Sequence, residues 1–259
     1  MDHDAIDQAA FELELYGFTV LPGVIPETEA LRLAGVLDDA DARIGIEYVY
    51  DGAYARSVPC APALDDGFMA LVDNPLALAV VERVMGAELV LGSMNARIVR
   101  PGDPGQGLHS DIPAVHRRVI GTPVMLQVVW MLDGFTADKG ATRIVPGSHR
   151  HPEAYPPAGR AIAHVVQPTG PAGSVMIFNG QCWHGGGENR SQDRRRAVFG
   201  HYRLDAWMRF QTDPQLYVGA DQWQRMSERQ RELLRMTHGP DQKNAADYYA
   251  GQMRAKRYD

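Results

Sequence analysis

Apolar residues recur at helical spacing in three segments of the first ninety positions. The segment DAIDQAAFELELYG places its apolar residues on one helical face and ends at Gly17, a residue type that favours helix termination. These apolar residues are Ile6, Ala9, Ala10 and Leu13. A second helix is predicted in PETEALRLAGVLDDADAR, because Pro26 and the acidic residues after it suit a helix N-terminus. The third segment, DNPLALAVVERVMG, has Asp73 or Asn74 as its cap and Gly86 as its stop.

Two other stretches of this N-terminal part follow different patterns. The run FTVLPGV alternates in the manner of a strand. Residues 44–68 combine tyrosines with several glycines and prolines, and we interpret them as a long irregular loop. Loops of this length often carry function, so this segment is a candidate for contact with a ligand.

From position 88 to about 204 the pattern changes to short β-rich runs separated by turns that are rich in glycine and proline. The runs are ELVLGSMNARIVR, TPVMLQVVWML, ATRIVP, AIAHVVQ, GSVMIFN and RAVFGHYRL. Many short strands with this punctuation indicate a sandwich or a barrel. After them, SERQRELLRMTHG predicts a helix that begins with a Ser227 and Gln230 capping box and ends at Gly239. The predicted fold class is therefore mainly β with flanking helices.

Composition is that of an ordinary globular domain. Of the 259 residues, 45% are apolar and 22% are charged, and no linker divides the chain. We therefore expect one domain over residues 1–259. Its parts are a mostly helical segment at 1–87, the β core at 88–204 and a helical tail at 205–259.

Charge and cysteine content narrow the range of partners. The formal net charge is -6 and the pI is near 5.8, whereas a nucleic-acid-binding domain usually has a basic face. The chain lacks a long apolar run for a membrane span, and its acidic start lacks the features of a signal peptide. Cys60 and Cys182 do not have metal-binding spacing, and we interpret them as reduced, incidental thiols. These features predict a cytoplasmic protein that binds a small molecule, without nucleic-acid or membrane partners.

The strongest local signal for chemistry is GLHSDIP, in which one residue separates His109 from Asp111. On a strand, positions i and i+2 face the same way, so both side chains can reach one ion. The pair alone is weak, and a surface pair explains it as well. Adding His184 gives two histidines and one carboxylate, the set that holds non-haem iron(II) and leaves coordination positions open. For His184 alone, the alternative is a histidine whose ring is satisfied by backbone groups.

An arginine triplet follows His184 and opens the last β-rich run. Arginine binds a carboxylate through two parallel hydrogen bonds, which lysine cannot reproduce. The two-residue period of a strand puts Arg195 on the face opposite Arg194 and Arg196. We therefore expect Arg195 to point inward to an acid, and we interpret Arg194 and Arg196 as solvated.

Three signatures arrive in order along the chain: H-x-D, then GATRIVPGSH, then W-H-x-G with an arginine eleven residues after the histidine. Together they resemble the phytanoyl-CoA dioxygenase (PhyH) family of the iron(II)- and 2-oxoglutarate-dependent oxygenases, over roughly residues 11–204. The resemblance implies a double-stranded β-helix, a cupin-like jelly roll with N-terminal helices. It also implies that His109, Asp111 and His184 ligate the iron and that Arg195 binds the distal carboxylate of 2-oxoglutarate.

Two further contacts to the cosubstrate are implied by the resemblance. They are Thr142, in KGATRIVPGSH, and Gln127, in VMLQVVW. Simple β-propensity is the alternative for Thr142, and an exposed edge position is the alternative for Gln127. Halogenating relatives replace the carboxylate ligand with a small residue, so the presence of Asp111 implies oxygen insertion or a related oxidation.

The predicted activity is that of an enzyme that uses O2 to oxidise an unactivated carbon of a small organic molecule, with secondary metabolites among the candidates. Hydroxylation is the leading reaction, ahead of desaturation, epoxidation and ring closure. Five residues are candidates to contact the substrate, although packing or surface roles explain each of them as well. They are Tyr50, Tyr54, Asn95, Arg97 and Trp183. Two alternatives remain: a jelly-roll hydrolase or isomerase that uses another divalent metal, and a binding module without catalysis.

Overall fold

A seven-stranded antiparallel sheet forms the centre of the computed structural model, which describes residues 3–50, 53–112, 121–204 and 213–237, with positions 46–50 and 53–55 described through their backbone alone. The helices are α1 (His3–Tyr16), α2 (Glu27–Ile44), α3 (Asp66–Ala70), α4 (Pro75–Met85), α5 (Ala220–Arg225) and α6 (Glu228–Leu233). The strands are β1 (Phe18–Leu21), β2 (Ile46–Tyr50), β3 (Ala53–Val58), β4 (Leu89–Val99), β5 (Met125–Met131), β6 (Arg143–Ile144), β7 (Val175–Asn179), β8 (His184–Gly185) and β9 (Arg195–Leu204).

The strand order of the large sheet is β1-β7-β5-β9-β4-β3-β2, and β6 pairs with β8 in a second, two-stranded sheet. All these pairs are antiparallel. Strand β5 is buried along its whole length, between β7 and β9. The mainly β architecture with flanking helices is therefore as predicted. No helix in the described ranges has both the length and the apolar character that crossing a membrane requires.

The predicted helix signals have the expected local structure. Helix α1 buries the four apolar residues of its predicted face, and Gly17 follows it with a φ of +82°. Asn74 caps α4, since its side chain accepts a hydrogen bond from the backbone N–H of Ala77, and Gly86 follows with a φ of +82°. The capping box at the start of α6 is present in both directions. Its predicted end at Gly239 lies outside the described residues.

Two predictions for individual segments are wrong. Residues 44–68 are not one irregular loop, because β2 and β3 form a hairpin that extends the large sheet through pairing of β3 with β4. The run AIAHVVQ is not a strand, since residues 161–167 are mostly solvent-accessible and only Val166 forms a bridge, to Ile144. For the hairpin, pairing of β3 with the distant strand β4 decided the outcome. Among the described residues, AIAHVVQ has only the one bridge, which is too little pairing to form a strand.

The two faces of the large sheet have different roles. One face packs against α1, α2 and α4, and this core includes Leu126, Val128, Trp130 and Val198. The residues that alternate with these point to the other side, where Val129, Met131 and Ala197 pack against the segment that carries β6 and β8. Part of this second face therefore lies between the two sheets. The candidate site residues lie in this space.

Arg196 does not have the solvated role expected for it. Its Nε and Nη2 atoms donate to the two carboxylate oxygens of Asp133 at 2.9 and 2.7 Å, and its Nη1 atom donates to Asp38 at 2.7 Å. By contrast, the side chain of Arg194 is 54% exposed, as predicted. The backbone N–H of Arg196 also donates to Asp133, so this buried carboxylate ties β9 to the chain that follows β5.

Replacing Asp133 with alanine should lower the free energy of unfolding by about 2 to 4 kcal/mol, because the partly buried guanidinium of Arg196 would lose its bidentate acceptor. Urea denaturation followed by circular dichroism measures the change. The control is Asp193→Ala, since the 3.2 Å ion pair of Asp193 with Lys139 lies at a carboxylate that is 71% exposed. That change should cost less than about 0.5 kcal/mol. Equal losses in the two variants would contradict the structural role of Asp133.

Candidate active site

His109, Asp111 and His184 converge at the mouth of the space between the two sheets. Their ligand atoms all lie within 4.8 Å of one another. The Nε2 atom of His184 is 3.4 Å from Asp111 Oδ2, and that of His109 is 4.0 Å from Asp111 Oδ1. The backbones of the two histidines are bonded reciprocally, each N–H to the other's carbonyl at 2.8 Å, and the Asp111 N–H donates to Gly180 at 2.9 Å. Backbone pairing between distant segments therefore builds this group.

The backbone also sets which nitrogen of each imidazole is available. His109 Nδ1 lies 3.0 Å from the Gly107 carbonyl, and His184 Nδ1 lies 2.9 Å from the Cys182 carbonyl. A carbonyl only accepts, so each Nδ1 carries the proton and each Nε2 keeps a lone pair for a metal. Burial is the main cause that lowers the pKa of His184, and the lower pKa favours its neutral, ligating form.

Asp111 is held ionised by its neighbours. Burial is the largest single influence and raises its pKa, but the combined effects of His184, His201, Gln127 and His109 lower it overall. Gln127 Nε2 donates to Asp111 Oδ2 at 2.7 Å. The edge position considered for Gln127 is wrong, since this residue is 3% exposed in the middle of β5. Its amide contacts the carboxylate of the candidate metal group.

Two imidazole nitrogens and one carboxylate oxygen form the donor set that suits iron(II) with coordination positions left open. The open side of this group faces a cavity of about 100 Å³. The cavity is lined by Arg97, Val99, Asp103, Gly105, Gln106, His109, Asp111, Gln127, Thr142, His184, Gly186, Gly187, Arg195, Phe199 and His201.

Arg195 lies in the wall of this cavity and is 2% exposed. Its Nε and Nη1 atoms have no hydrogen-bond partner among the described residues, and its guanidinium carbon lies 4.6 Å from the centre of the Phe135 ring. Burial first, and the charge of Arg97 second, lower its pKa to about 10, so the group stays cationic at neutral pH. A buried cation with unused donors is costly unless an anion pairs with it. The site therefore fits the carboxylate of a bound acid.

The three glycines after His184, residues 185–187, allow the backbone of the cavity wall to lie close to neighbouring segments. A Cβ atom on Gly185 would lie 2.7 Å from the Gly107 carbonyl oxygen, and one on Gly187 would lie 2.5 Å from that of Ala141. Both distances are too short for any side chain. Glycine is therefore required for β8 and the residues after it to pass between the neighbouring segments.

The other residues predicted from the sequence are dispersed. Thr142 is buried in the cavity wall, and Arg97 also lines the cavity. Asn95 is not in that lining, and its side chain accepts from the Cys60 N–H at 3.0 Å. Trp183 also lies outside the lining, because its indole N–H donates to the Glu153 carbonyl at 3.1 Å and its ring packs on His151. The side chains of Tyr50 and Tyr54 are outside the described part of the structure.

The lining residues that sequence reasoning missed include Asp103, Gln106, Phe199 and His201. The signal for Phe199 and His201 was present, since both continue the two-residue period of Arg195 along β9. Burial is the largest influence on His201 and lowers its pKa to about 4, so its ring is neutral at physiological pH. For Asp103 and Gln106 the sequence offers no comparable pattern.

Comparisons with known proteins agree with this geometry. The family model for phytanoyl-CoA dioxygenase (PhyH) matches residues 13–197. Dioxygenase af480 of Aspergillus fumigatus is 26% identical over 240 residues, which cover 90% of this chain and 78% of that protein.

Solved structures show the same fold. The epimerase SnoN from nogalamycin biosynthesis, in complex with Fe3+, alpha ketoglutarate and nogalamycin RO, superposes with a TM-score of 0.65 at 20% identity, covering 78% of this chain and 84% of SnoN. The alpha ketoglutarate dependent carbocyclase SnoK, also from nogalamycin biosynthesis, gives 0.63 at 18% identity, covering 76% and 83%. These likenesses confirm the predicted jelly roll. With a family match over most of its length, the chain belongs to the phytanoyl-CoA dioxygenase (PhyH) family of iron(II)- and 2-oxoglutarate-dependent oxygenases.

Proposed function

We propose that this oxygenase hydroxylates an unactivated carbon of a small organic molecule. One observation carries the proposal: a group of two histidines and one aspartate opens onto a cavity whose wall holds the buried guanidinium of Arg195 with unused donors. The structural neighbours SnoN and SnoK come from nogalamycin biosynthesis, which supports a secondary metabolite as the substrate class.

Five residues of the site have a specific task in this proposal. His109, Asp111 and His184 would hold iron(II), Arg195 would bind the distal carboxylate of 2-oxoglutarate, and Thr142 would be a further contact to the cosubstrate. Bound iron and 2-oxoglutarate supply the oxidising chemistry, in which O2 is consumed and the cosubstrate becomes succinate and carbon dioxide. The protein itself orients the reactants and keeps bulk water away from them.

The walls of the cavity are arranged for this positioning. The Phe135 ring lies against the Arg195 guanidinium and holds it in place, so little freedom is lost when a carboxylate binds. Gln127 restricts Asp111 through the oxygen that accepts its hydrogen bond. Both contacts are made between groups of the protein itself, and they preorganise the site for its ligands.

The presence of a carboxylate ligand supports oxygen transfer, and hydroxylation is the outcome we propose. SnoN and SnoK are an epimerase and a carbocyclase. Identification of the product is therefore part of the test. A hydroxylated product gains one oxygen atom, and that atom carries the label when the reaction runs under 18O2.

An anaerobic titration separates the proposal from its two alternatives. Iron(II) and 2-oxoglutarate added to the purified chain should produce the weak visible charge-transfer band of the chelate. A hydrolase or isomerase that uses another divalent metal would bind the ion without the band, and a binding module without catalysis would bind neither. Either result would refute the proposed function.

Replacing Gln127 with leucine should weaken iron(II) binding about 10- to 100-fold, because residues that orient a ligand contribute on this scale. Leucine has a similar size but cannot donate to Asp111, so the carboxylate would be free to rotate. Competition against a coloured chelator measures the affinity. The matched control is Gln222→Leu, because the Gln222 amide donates to the Pro62 carbonyl and neither residue lines the cavity. Unchanged iron affinity in Gln127→Leu would remove Gln127 from the metal site.

A further inference from the structure

His201 is a third histidine in the cavity, beside the two of the metal group, and the proposed function gives it no task. It lies on β9, on the same face as Arg195 and Phe199. Its register partner on β5 is Gln127, whose amide holds Asp111. The ring therefore lies beside the carboxylate of the metal group.

The hydrogen bond on the outer side of the ring fixes its tautomer. Arg203 Nη2 lies 3.3 Å from His201 Nδ1. A guanidinium has donors only, so Nδ1 of His201 must accept, and in the neutral ring the proton is then on Nε2. His201 lines the cavity, and its second ring nitrogen, Nε2, is consequently an N–H donor. It has no lone pair to offer a metal.

The fold is adapted to put Arg203 in this place. The pairing of β4 with β9 shifts register between Leu91 and Met94, and Gly92 lies inside this irregularity. A Cβ atom on Gly92 would lie 2.7 Å from Cδ and 2.8 Å from Nε of Arg203. Bulges near active sites commonly redirect a side chain. Here the bulge and its glycine make room for the buried arginine that holds the His201 ring.

The position of His201 separates it from the proposed cosubstrate anchor. His201 follows Arg195 by six positions on β9, which places their Cα atoms about 20 Å apart at the usual rise of a strand. Arg195 would hold the distal end of 2-oxoglutarate. His201 instead lies at the other end of the cavity, next to Asp111.

We propose that His201 donates a hydrogen bond from Nε2 to an oxygen atom of the organic substrate. It would thereby select molecules that carry a hydroxyl, ether or carbonyl oxygen close to the carbon that is oxidised. Arg203 is the positioning residue that fixes the tautomer. The substrate role rests on the proposed function, whereas the tautomer can be measured independently of activity.

The first experiment determines the tautomer in the full chain loaded with Zn2+ and 2-oxoglutarate. Long-range 1H–15N correlation spectra of protein with 15N-labelled histidine distinguish protonated from unprotonated ring nitrogens, and His201→Phe assigns the signals by their loss. We expect Nε2 of His201 to be protonated, and Arg203→Met to give a mixture of tautomers. A proton on Nδ1 in the wild-type chain would overturn the proposal.

The second experiment measures the preference for oxygen. Succinate release is followed with a panel of polycyclic alcohols and ketones, each paired with its deoxy parent. His201→Phe should reduce the preference in kcat/KM for the oxygenated member about tenfold, the scale of one neutral hydrogen bond. His201→Gln, which keeps an Nε2 donor, should restore most of the preference.

Two results with His201→Phe would overturn the proposal, one in the succinate assay and one in the anaerobic titration. One is an equal fall of kcat/KM for both members of a pair. The other is a rise in the 2-oxoglutarate concentration that produces the charge-transfer band, which would place His201 on the cosubstrate. Failure of the proposed function would appear differently, as the absence of that band in the wild-type chain, while the spectra would still report the tautomer.

Discussion

Replacing Arg195 with methionine should raise the 2-oxoglutarate concentration that half-saturates the iron-loaded site about 100-fold. The guanidinium would form two charge-assisted hydrogen bonds to the distal carboxylate, and each contributes about 1.5 to 3 kcal/mol. A net loss of about 3 kcal/mol corresponds to about two orders of magnitude in affinity. The anaerobic charge-transfer band measures the effect directly, without a substrate.

Iron(II) binding in the same variant should stay close to the wild-type value, because Arg195 is not in the group that contains the metal ligands. The ligand-free variant should also unfold no more easily than the wild-type chain. Methionine fills a similar volume and removes a buried cation whose Nε and Nη1 atoms have no partner among the described residues. This combination of weaker cosubstrate binding and undiminished stability distinguishes a ligand-binding arginine from a structural one.

The neighbouring arginine provides the control. Arg194→Met changes an adjacent, exposed side chain and should leave the 2-oxoglutarate requirement within about twofold, since exposed charges contribute little. Arg195→Lys should fall between the wild-type chain and Arg195→Met, because it keeps the charge but loses the two parallel donors. An unchanged 2-oxoglutarate requirement in Arg195→Met would mean that the carboxylate binds elsewhere.

Patterns within short stretches of sequence predicted the elements that are determined by interactions between residues close in the chain. Helices α1, α4 and α6 have caps or terminating glycines that act within a few residues, and the structure contains them. The two-residue period of β9 also sufficed to separate the inward Arg195 from its neighbours. These predictions succeeded because each depends on the spacing of residues within one element.

Long-range pairing explains what the sequence did not predict. The β2–β3 hairpin exists because β3 pairs with β4, about forty positions later in the chain. Asp133 supplies a buried acceptor that makes Arg196 structural, although the same strand period indicated a solvated face. The contact between Gln127 and Asp111 spans sixteen positions and connects a strand to a loop. Spacing within one element carries no information about such partners.

The candidate site combines both kinds of information. The one-residue spacing of His109 and Asp111 indicated a shared direction, but spacing could not bring in His184, 73 positions after Asp111. The chemistry of the donor set suggested His184, and the family resemblance implied it. The structure supplies the reason for their convergence, which is the reciprocal backbone pairing of His109 with His184. The role of His201 could not be predicted from spacing. Its place in the strand period was visible, but its role depends on Arg203 and on the bulge at Gly92.

Replacing Asp111 with asparagine should weaken iron(II) binding more than about 100-fold and abolish succinate formation. The change keeps the shape of the side chain and its ability to accept from Gln127, but it removes the charge of the one anionic ligand. Loss of a residue that only orients a ligand already costs about 10- to 100-fold in affinity, so loss of the charged ligand should cost more. Cobalt(II), whose visible spectrum reports its coordination, measures binding without turnover.

A second carboxylate in the same cavity tests the cause of the lost metal affinity. The loss could come from a missing ligand or from the missing negative charge alone. Asp103 is buried in the cavity wall, where its side chain accepts from the Arg100 N–H at 2.7 Å, but it is not part of the metal group. Asp103→Asn removes one negative charge from the same cavity and should change cobalt(II) affinity less than about threefold, the size of a screened pairwise effect. Equal losses in the two variants would show that the cavity attracts cations without a specific ligand at Asp111. A large loss confined to Asp111→Asn is the result that direct coordination requires.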